Sequence, residues 1–376
     1  MGVKKLFTFL NEKRIYKKYE KINNLLYELK LNKNSVFIGI DTNLYFYKYN
    51  YTYDNIIIGF FNQIIKFLSN GIYPLYIIDG GTLKEKEKTN IMRNNKKKNN
   101  YKKIEELLVE IENSDDKNKI DYLNKIIEKL KKKTLKISND KMDILIELFD
   151  LMNILYIFSY GEAEYLAVLL NNYGIIDFFL TDDTDPIPAG INNIIKFTNN
   201  HVLYLNKEYL LKELEINENQ LCDFCILLGN DYNTFNIKKL KPFELLKLVK
   251  NNDITEILNI FNIDEENFIN LKNIYLNSSN DEKDYILKGY TDNDNIINIT
   301  YKNNSIILNQ FWNELKEVLI NNKNSLNLKK DIIKKIKKTK FKTDLLLNFL
   351  KKNINNITND EIENIKITFS YLDNFR

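Results

Sequence analysis

The chain has 376 residues, 44% of them hydrophobic, so it can bury a sizeable core and is expected to form one large or two moderate domains. With only two cysteines, the chain cannot be a disulfide scaffold. Residues 1–10 lack the apolar segment of a signal peptide, and no apolar run approaches the ~20 residues of a membrane span. These features together predict an intracellular protein that is not secreted. The 55 Lys and Arg nearly balance the 51 Asp and Glu, so the net charge of +4 does not by itself indicate a nucleic-acid partner.

Two apolar runs early in the chain each end in an aspartate. Residues 36–40 are typical of a strand and are followed by Asp41, and residues 75–78 are typical of a second strand and are followed by Asp79. A helix is expected between them, over about residues 55–69. Alternating strands and helices predict a mostly parallel sheet flanked by helices, and ligand sites of such sheets form at the carboxyl ends of the strands.

The pattern changes between residues 84 and 140, where a long, polar, lysine-rich stretch predicts helices and no strand. Residues 84–103 hold eight lysines and Arg93 against Glu85 and Glu87, a local charge of 9 − 2 = +7. A helix face of this kind can follow the phosphates of a nucleic acid. The same run can equally be a solvated surface in a chain so rich in lysine.

Strand and helix alternation returns after residue 140. We expect a helix over 141–153, a strand over 154–158, a helix opening at Gly161, a strand over 175–180 and strand-like structure over 194–205. From about residue 236 onward the pattern favours helices. The prediction is therefore an α/β core over residues 1–235, with the insertion at 84–140, and a mainly helical region over 236–376.

Seven carboxylates each follow an apolar run or open a helix, which would bring them to one edge of the sheet. They are Asp41, Asp79, Glu162, Glu164, Asp183, Asp185 and Asp231. Cleavage of a phosphodiester by two Mg²⁺ or Mn²⁺ ions roughly 4 Å apart requires such a set of hard oxygen ligands. The seven acids therefore predict a two-metal phosphodiesterase.

The spacing of the paired acids carries a geometric condition. Asp183 and Asp185, two residues apart at the end of an extended run, would project to the same side of a strand and could share an ion. Glu162 and Glu164 would diverge by about 200° in mid-helix, so both can serve only if the first turn of their helix points at the metals. Asp182 is expected to point away, as a solvated or capping carboxylate.

Six ordered blocks of the sequence resemble those of the flap endonuclease (XPG-like) structure-specific nucleases. The blocks lie at residues 1–6, 38–42, 73–80, 161–164, 180–185 and 223–232, and their order and spacing agree from residue 1 to about 250. The spacing after Asp79 and the later block at residues 311–316 are similar in particular to the flap endonuclease-like proteins of poxviruses. The host cytoplasm is the expected compartment if the protein is poxviral, and the nucleus if it is cellular.

The resemblance implies a PIN-like nuclease core acting on DNA with 5′ single-stranded flaps, nicks or junctions. It implies one metal held by Asp41, Asp79, Glu162 and Glu164 and a second held by Asp183, Asp185 and Asp231. It also implies that residues 84–140 are a helical arch for a 5′ single strand, and that Lys86 and Arg93 contact the scissile phosphate. Gly2 and Lys84 are expected near the DNA, with Mg²⁺ as the cofactor and Mn²⁺ as its substitute.

The sequence departs from the family pattern after Asp231. The family forms a phosphate-binding turn with two glycines, and Lys239 and Lys241 stand in their places. These lysines either contact a duplex phosphate directly or are surface residues. Pro186 and Pro188 replace the usual apolar continuation after Asp185, so that segment is expected to follow a different path. No motif for binding a sliding clamp is found near the end of the chain.

Other candidate sites lose support from their surroundings. Cys222 and Cys225 lie in an apolar helical stretch, so buried core thiols are the preferred interpretation over a zinc or redox site. The single histidine, His201, disfavours histidine-based catalysis. Residues 329–342 hold eight lysines against Asp331; they are an import signal, a duplex-binding patch or the wet face of an amphipathic helix.

The predicted function is a Mg²⁺-dependent 5′ structure-specific DNA nuclease of replication, repair or recombination. A non-catalytic junction-binding factor that keeps the nuclease fold is the alternative that the altered phosphate turn leaves open. A PIN-type ribonuclease would share the acids but would not need the long basic insertion.

Overall fold

The structure is a computed structural model that describes residues 2–32, 35–53, 55–81, 86–134, 137–232, 237, 240–288, 306–321, 325–339, 341–354 and 357–375. Within these ranges, no helix is at once long enough and apolar enough to cross a membrane. One hydrophobic cluster runs from the N-terminal helix through the sheet and into the C-terminal helices, from Val3 to Leu372.

A seven-stranded, mostly parallel sheet forms the centre of the fold, as predicted. The strands are β1 Lys17–Tyr19, β2 Val36–Asp41, β3 Ile72–Ile78, β4 Leu155–Phe158, β5 Phe178–Leu180, β6 Asn193–Phe197 and β7 Val202–Asn206. Their order across the sheet is β1-β7-β6-β5-β2-β3-β4. Neighbours from β6 to β4 are parallel, whereas β7 is antiparallel to both β6 and β1.

Helices flank the sheet and make up most of the described chain beyond residue 240. In the N-terminal half they are α1 Leu6–Glu12, α2 Ile22–Glu28, α3 Thr42–Thr52, α4 Ile56–Ser69, α5 Glu87–Glu112, α6 Lys117–Thr134, α7 Asn139–Leu151, α8 Ala163–Asn172, α9 Lys207–Leu214 and α10 Glu218–Leu228. The C-terminal half contains α11 Pro242–Asn251, α12 Ile254–Ile260, α13 Glu265–Lys288, α14 Ile306–Asn321, α15 Ser325–Lys338, α16 Thr343–Asn353 and α17 Asn359–Phe375.

The central strands form because their sequences are apolar on both faces. Every residue of β2 and of β3 is buried, which is typical of a parallel strand covered by helices on each side. The two strands pair in parallel with Asp41 opposite Ile77. Asp41 and Asp79 therefore lie at the same edge of the sheet, as their positions in the sequence predicted.

Two strand predictions need correction. The strand expected over residues 175–180 begins only at Phe178, because α8 ends with a turn at Gly174 and Asp177 is used as a side-chain acceptor for the Phe37 N–H at 2.8 Å. The strand-like stretch over 194–205 is two antiparallel strands, β6 and β7, joined by a turn in which Thr198 and His201 bond to each other. Strand β1 was not predicted.

The basic insertion consists of two long helices, α5 and α6, that pack against each other. Helix α5 carries exposed lysines at positions 96, 98, 102 and 103. Beyond residue 240 the described chain is helical, and α13 packs against α8 and α10 of the core. The helical content predicted for both regions is confirmed.

Candidate active site

The carboxyl ends of the parallel strands carry the predicted acids. Asp41 ends β2 and caps α3, Asp79 follows β3, and Glu162 and Glu164 open α8 just after β4. Asp183 and Asp185 follow β5, and Asp231 lies three residues after the end of α10. These seven residues are called the acid cluster below.

Asp79 joins three of the elements that carry the cluster. Its Oδ1 accepts the Ala163 N–H at the start of α8 at 2.8 Å, and its Oδ2 accepts from the Asn43 side chain on α3 at 2.6 Å. Asp41 is held in a similar way, since its oxygens accept from the Leu44 N–H at 2.9 Å and from the Thr181 hydroxyl at 3.1 Å. Both carboxylates are therefore fixed in place by neutral donors.

The pKa shifts show that the acids interact with one another. Burial, followed by the charge of Asp79, raises the pKa of Asp41 to about 8, and burial with the charge of Asp183 raises the pKa of Asp185 to about 8. Burial also raises the pKa of Asp79 to about 6. Burial together with Asp41, Asp79 and Glu162 raises the pKa of Glu164 well above its usual range. A concentration of negative charge of this kind favours cations.

The two glutamates meet the geometric condition set by their spacing. Glu162 has an extended backbone (φ −95°, ψ 142°) because it is the N-cap of α8, and Glu164 is in the first turn. Glu162 Oε2 accepts from the Lys86 ammonium at 2.5 Å and from the Tyr232 hydroxyl at 2.8 Å. A helix that begins between the two residues, rather than before them, allows both side chains to reach the cluster.

The strand-based argument for Asp183 and Asp185 was wrong. Strand β5 ends at Leu180, and residues 181–185 form a turn in which Asp183 Oδ1 accepts the Thr184 N–H at 2.6 Å and the Asp185 N–H at 3.4 Å. The two carboxylates still interact, because the chain folds back there rather than continuing as a strand. Asp182 pairs with Lys48 at 3.3 Å and Lys196 at 3.7 Å, so it is an ion-paired carboxylate.

Both predicted phosphate-contacting cations reach the acid cluster. Lys86 is only 7% exposed, and its ammonium lies 2.5 Å from Glu162 and 3.8 Å from Asp185. Burial acts to lower the pKa of Lys86, but Glu162, Asp185 and Glu164 more than offset it and hold the pKa above its usual value. The Arg93 guanidinium pairs with the Asp231 carboxylate. The cluster therefore already contains two of the chain's own cations.

The residues present fit a divalent metal in their chemistry. The donors are carboxylate oxygens, which Mg²⁺ and Mn²⁺ prefer. Asp185, only 1% exposed, has a buried Oδ2 with no hydrogen-bond partner among the described residues. Among the described residues, no three acids, histidines or cysteines lie close enough together to hold one ion between them.

Several residues of the site were missed by sequence reasoning. Tyr165 and Tyr232 share a hydroxyl–hydroxyl bond of 2.6 Å beside Glu162, and Tyr275 donates to Asp185 Oδ1 at 3.3 Å. Glu282 accepts two backbone N–H groups of residues 160 and 161. Tyr165 and Tyr232 directly follow Glu164 and Asp231 in the recognisable blocks. Tyr275 and Glu282 are single positions in a helix without a distinguishing pattern.

The other predicted DNA contacts fall in different surroundings. Gly2 is buried with φ +77°, and a Cβ there would lie 2.0 Å from Asp183 Oδ1, so the N-terminal segment packs on the turn that bears Asp183. Lys241 is exposed at the N-cap of α11, where its N–H donates to Glu244 at 2.8 Å. Lys84 and Lys239 lie outside the described residues. Proximity to DNA remains a prediction for all four.

The cysteines are buried as the sequence favoured, and the C-terminal lysines lie on an amphipathic helix. Cys222 and Cys225 are fully buried in α10, and burial raises the pKa of both thiols. In α15, Ile332, Ile333 and Ile336 are buried, which makes this helix amphipathic. Its Lys329 is also buried and pairs with Asp177 at 2.7 Å, so that lysine serves the fold.

The chain is similar to structure-specific nucleases over most of its length. Residues 153–231, which contain five of the seven acids, match the XPG I-region family. A probable RAD2-like endonuclease of Invertebrate iridescent virus 6 is 27% identical over 66% of this chain and 72% of its own length. Flap endonuclease 1 of Methanococcus aeolicus is 29% identical over 58% of this chain and 64% of its own length.

The fold is also found in solved structures. The catalytic core of Rad2 in complex with a DNA substrate matches with a TM-score of 0.56 and 17% identity, covering 98% of this chain and all of that one. This likeness concerns the fold alone, since the sequence identity is low. The sequence matches support the XPG-like flap endonuclease superfamily, and the structural likeness shows the shared fold.

Proposed function

We propose that this protein is a metal-dependent 5′ structure-specific DNA nuclease. The observation that carries the proposal is that the seven acids follow four strand ends and one helix end at the same edge of the sheet. The raised pKa values of Asp41, Asp79, Glu164 and Asp185 arise from burial and from neighbouring acids, and a fold gains no stability from such mutual repulsion. Sites that retain it are typically functional.

The acids are proposed to hold two divalent ions, with Asp41, Asp79, Glu162 and Glu164 around one and Asp183, Asp185 and Asp231 around the other. When bound, such ions supply Lewis-acid stabilisation of the attacked phosphate and of the leaving oxygen. The neutral donors that fix Asp41 and Asp79 orient both carboxylates, which reduces the rearrangement needed on loading. Mn²⁺ is expected to replace Mg²⁺.

Lys86 and Arg93 are proposed to move from carboxylate to phosphate when the substrate binds. A guanidinium can bind two phosphate oxygens at once and an ammonium can bind one, so both can offset charge that develops in the transition state. Without substrate they neutralise Glu162 and Asp231. The same two side chains would thus serve as counter-ions at rest and as phosphate ligands in the reaction.

The basic helices α5 and α6 are proposed to accompany the single strand of the substrate. Lys86 and Arg93 lie at the start of α5, so the helix leads from the acid cluster into the exposed lysines at positions 96, 98, 102 and 103. This arrangement favours a substrate whose phosphates run from the insertion into the site. DNA with a 5′ flap, nick or junction fits that path.

The setting of the activity is an inference from the relatives alone. The iridescent virus relative supports a viral protein, and the narrower resemblance to poxvirus proteins stays a prediction. We infer an intracellular protein, in the host cytoplasm if poxviral and in the nucleus if cellular. A role in DNA replication, repair or recombination follows from the proposed substrates.

The test compares cleavage and binding of a labelled 5′-flap DNA. Wild type should cut the flap in Mg²⁺ or Mn²⁺ and bind it without cutting in Ca²⁺. Asp183→Asn should keep the fold and the binding but lose cleavage, since a neutral amide is a poor ligand for a hard dication. Wild-type turnover by this variant would refute the two-metal site.

The alternative is a non-catalytic junction-binding factor. It is favoured by one observation, that Lys86 and Arg93 already form ion pairs with carboxylates of the acid cluster. Metal-independent binding of junction DNA, with no cleavage of flap, nicked, gapped or linear substrates in Mg²⁺ or Mn²⁺, would decide for it.

A further inference from the structure

A buried carboxylate outside the acid cluster holds the loop that carries two of its members. Glu282 lies on α13 and is only 2% exposed. Its Oε2 accepts the Tyr160 N–H at 2.8 Å and its Oε1 accepts the Gly161 N–H at 2.9 Å. Each oxygen thus serves one backbone donor of residues 159–161, called the 159–161 loop below.

The 159–161 loop connects the acids from β3 with those from α8. The Gly161 carbonyl oxygen accepts the N–H groups of Gly80 at 3.0 Å and Gly81 at 3.2 Å, which directly follow Asp79. Glu162 is the next residue after the loop, and it is the N-cap of α8. The position of the loop therefore sets the distance between Asp79 and the two glutamates.

The same helix reaches the other half of the acid cluster. Tyr275 precedes Glu282 by seven residues, about two helical turns, so the two side chains lie on one face of α13. The Tyr275 hydroxyl donates to Asp185 Oδ1 at 3.3 Å. Helix α13 thus contacts both the 159–161 loop and one of the aspartates that follow β5.

We propose that Glu282 is a positioning residue that fixes Glu162 and Glu164 relative to Asp79 for metal binding. The proposal rests on the proposed function of the same site. A carboxylate is costly to bury, and an apolar residue of similar size would pack in the same place. The two bonds to the 159–161 loop give a reason for a carboxylate in this position.

The experiment compares Glu282→Leu and Glu282→Gln with the full-length wild type. Leucine is one atom shorter but of comparable volume, and it accepts no hydrogen bond, whereas glutamine has the same length and keeps one acceptor oxygen. Leu271→Ala is the matched control, because Leu271 is a buried residue of the same helix in the hydrophobic cluster and its loss should lower stability only. Mn²⁺ binding by electron paramagnetic resonance without DNA, single-turnover cleavage and thermal unfolding are measured for each protein.

Glu282→Leu should weaken Mn²⁺ binding by about tenfold or more and slow single-turnover cleavage by about 10 to 100-fold, with glutamine in between, as for other residues that orient metal ligands. The melting temperature of Glu282→Leu should fall less than that of Leu271→Ala, although its loss of Mn²⁺ binding is larger. Leu271→Ala should melt earlier but bind Mn²⁺ within about twofold of wild type. Wild-type Mn²⁺ affinity in Glu282→Leu, or an equal loss in Leu271→Ala, would overturn the proposal.

A measurement without metal separates this proposal from the proposed function. Amide hydrogen exchange of residues 160–165 should be at least about tenfold faster in Glu282→Leu than in wild type, since two backbone donors lose their acceptors. Unchanged exchange there would overturn the positioning role even if Glu282→Leu folded poorly enough to obscure cleavage. A wild type that neither binds Mn²⁺ nor cuts DNA would instead refute the proposed function.

Discussion

The approach of Gly80 to the 159–161 loop allows a sharp test of how the acids are held together. A Cβ at Gly80 would lie 1.8 Å from the Ser159 carbonyl oxygen and 3.0 Å from that of Tyr160. Both atoms belong to the backbone, so no side-chain rotation can relieve the contact. The change Gly80→Ala must therefore push the segment after Asp79 away from the loop.

The size of the effect follows from the bonds that this movement breaks. The contact must open by at least 3.0 − 1.8 = 1.2 Å before it leaves the range that real Cβ atoms essentially never show. The Gly80 N–H then loses its bonds to the Gly161 oxygen at 3.0 Å and to the Ser159 hydroxyl at 3.1 Å. At about 1 kcal/mol for each of the two bonds and about 1–3 kcal/mol for overpacking, Gly80→Ala should lower the free energy of unfolding by about 3–5 kcal/mol.

Urea unfolding and single-turnover cleavage measure the two consequences. A shift of Asp79 by about 1 Å relative to Glu162 should also slow cleavage by about 10²-fold under conditions where the variant is folded. Gly81→Ala is the control, because the nearest atom to its added Cβ is the Tyr160 oxygen at 3.6 Å, and it should change stability by less than about 0.5 kcal/mol. Equal stability and rate in the two variants would refute this account of the loop.

Three further results are expected. Arg93→Ala should lower the single-turnover rate by about 10²-fold or more with little loss of DNA affinity; an equal loss of affinity at an unchanged saturated rate would make Arg93 an ordinary backbone contact. Burial and then the charge of Asp79 raise the pKa of Asp41 from 3.8 to about 8. Metal-free wild type should therefore lose stability as pH rises from about 4 to about 8. In EDTA above pH 8, Asp41→Asn should have a higher melting temperature than wild type, and this difference should shrink towards pH 4. Lys241→Ala should flatten the slope of log affinity against log salt by about 1 on duplex DNA if that side chain contacts a phosphate; an unchanged slope would make it a surface residue.

The sequence was sufficient for the parts of the fold that depend on periodic apolar patterns. The runs ending in Asp41 and Asp79 are buried on both faces, so their strand character and shared edge could be predicted from hydrophobicity and parallel-sheet geometry. The three-residue strand β1 could not, because Lys17 and Lys18 are exposed and only Tyr19 is buried. Its pairing depends on β7, which is far away in the sequence.

Tertiary contacts explain what the sequence could not indicate about the site. The turn that brings Asp183 and Asp185 together depends on side-chain bonds to backbone N–H groups, which no periodicity reports. Glu282 lies in a long polar helix where glutamates usually face water. Its burial follows from the packing of α13 on α8, a contact between segments about 120 residues apart.

The placement of α13 restricts how freely the C-terminal half could be exchanged. Cutting the chain after residue 235, or grafting on the tail of another nuclease, would remove Tyr275 and Glu282 together. A replacement tail would have to present a hydroxyl and a carboxylate two helical turns apart, so that the hydroxyl reaches Asp185 and the carboxylate reaches the 159–161 loop. Diversification of α13 is therefore expected to be confined to the faces that point away from α8 and α10.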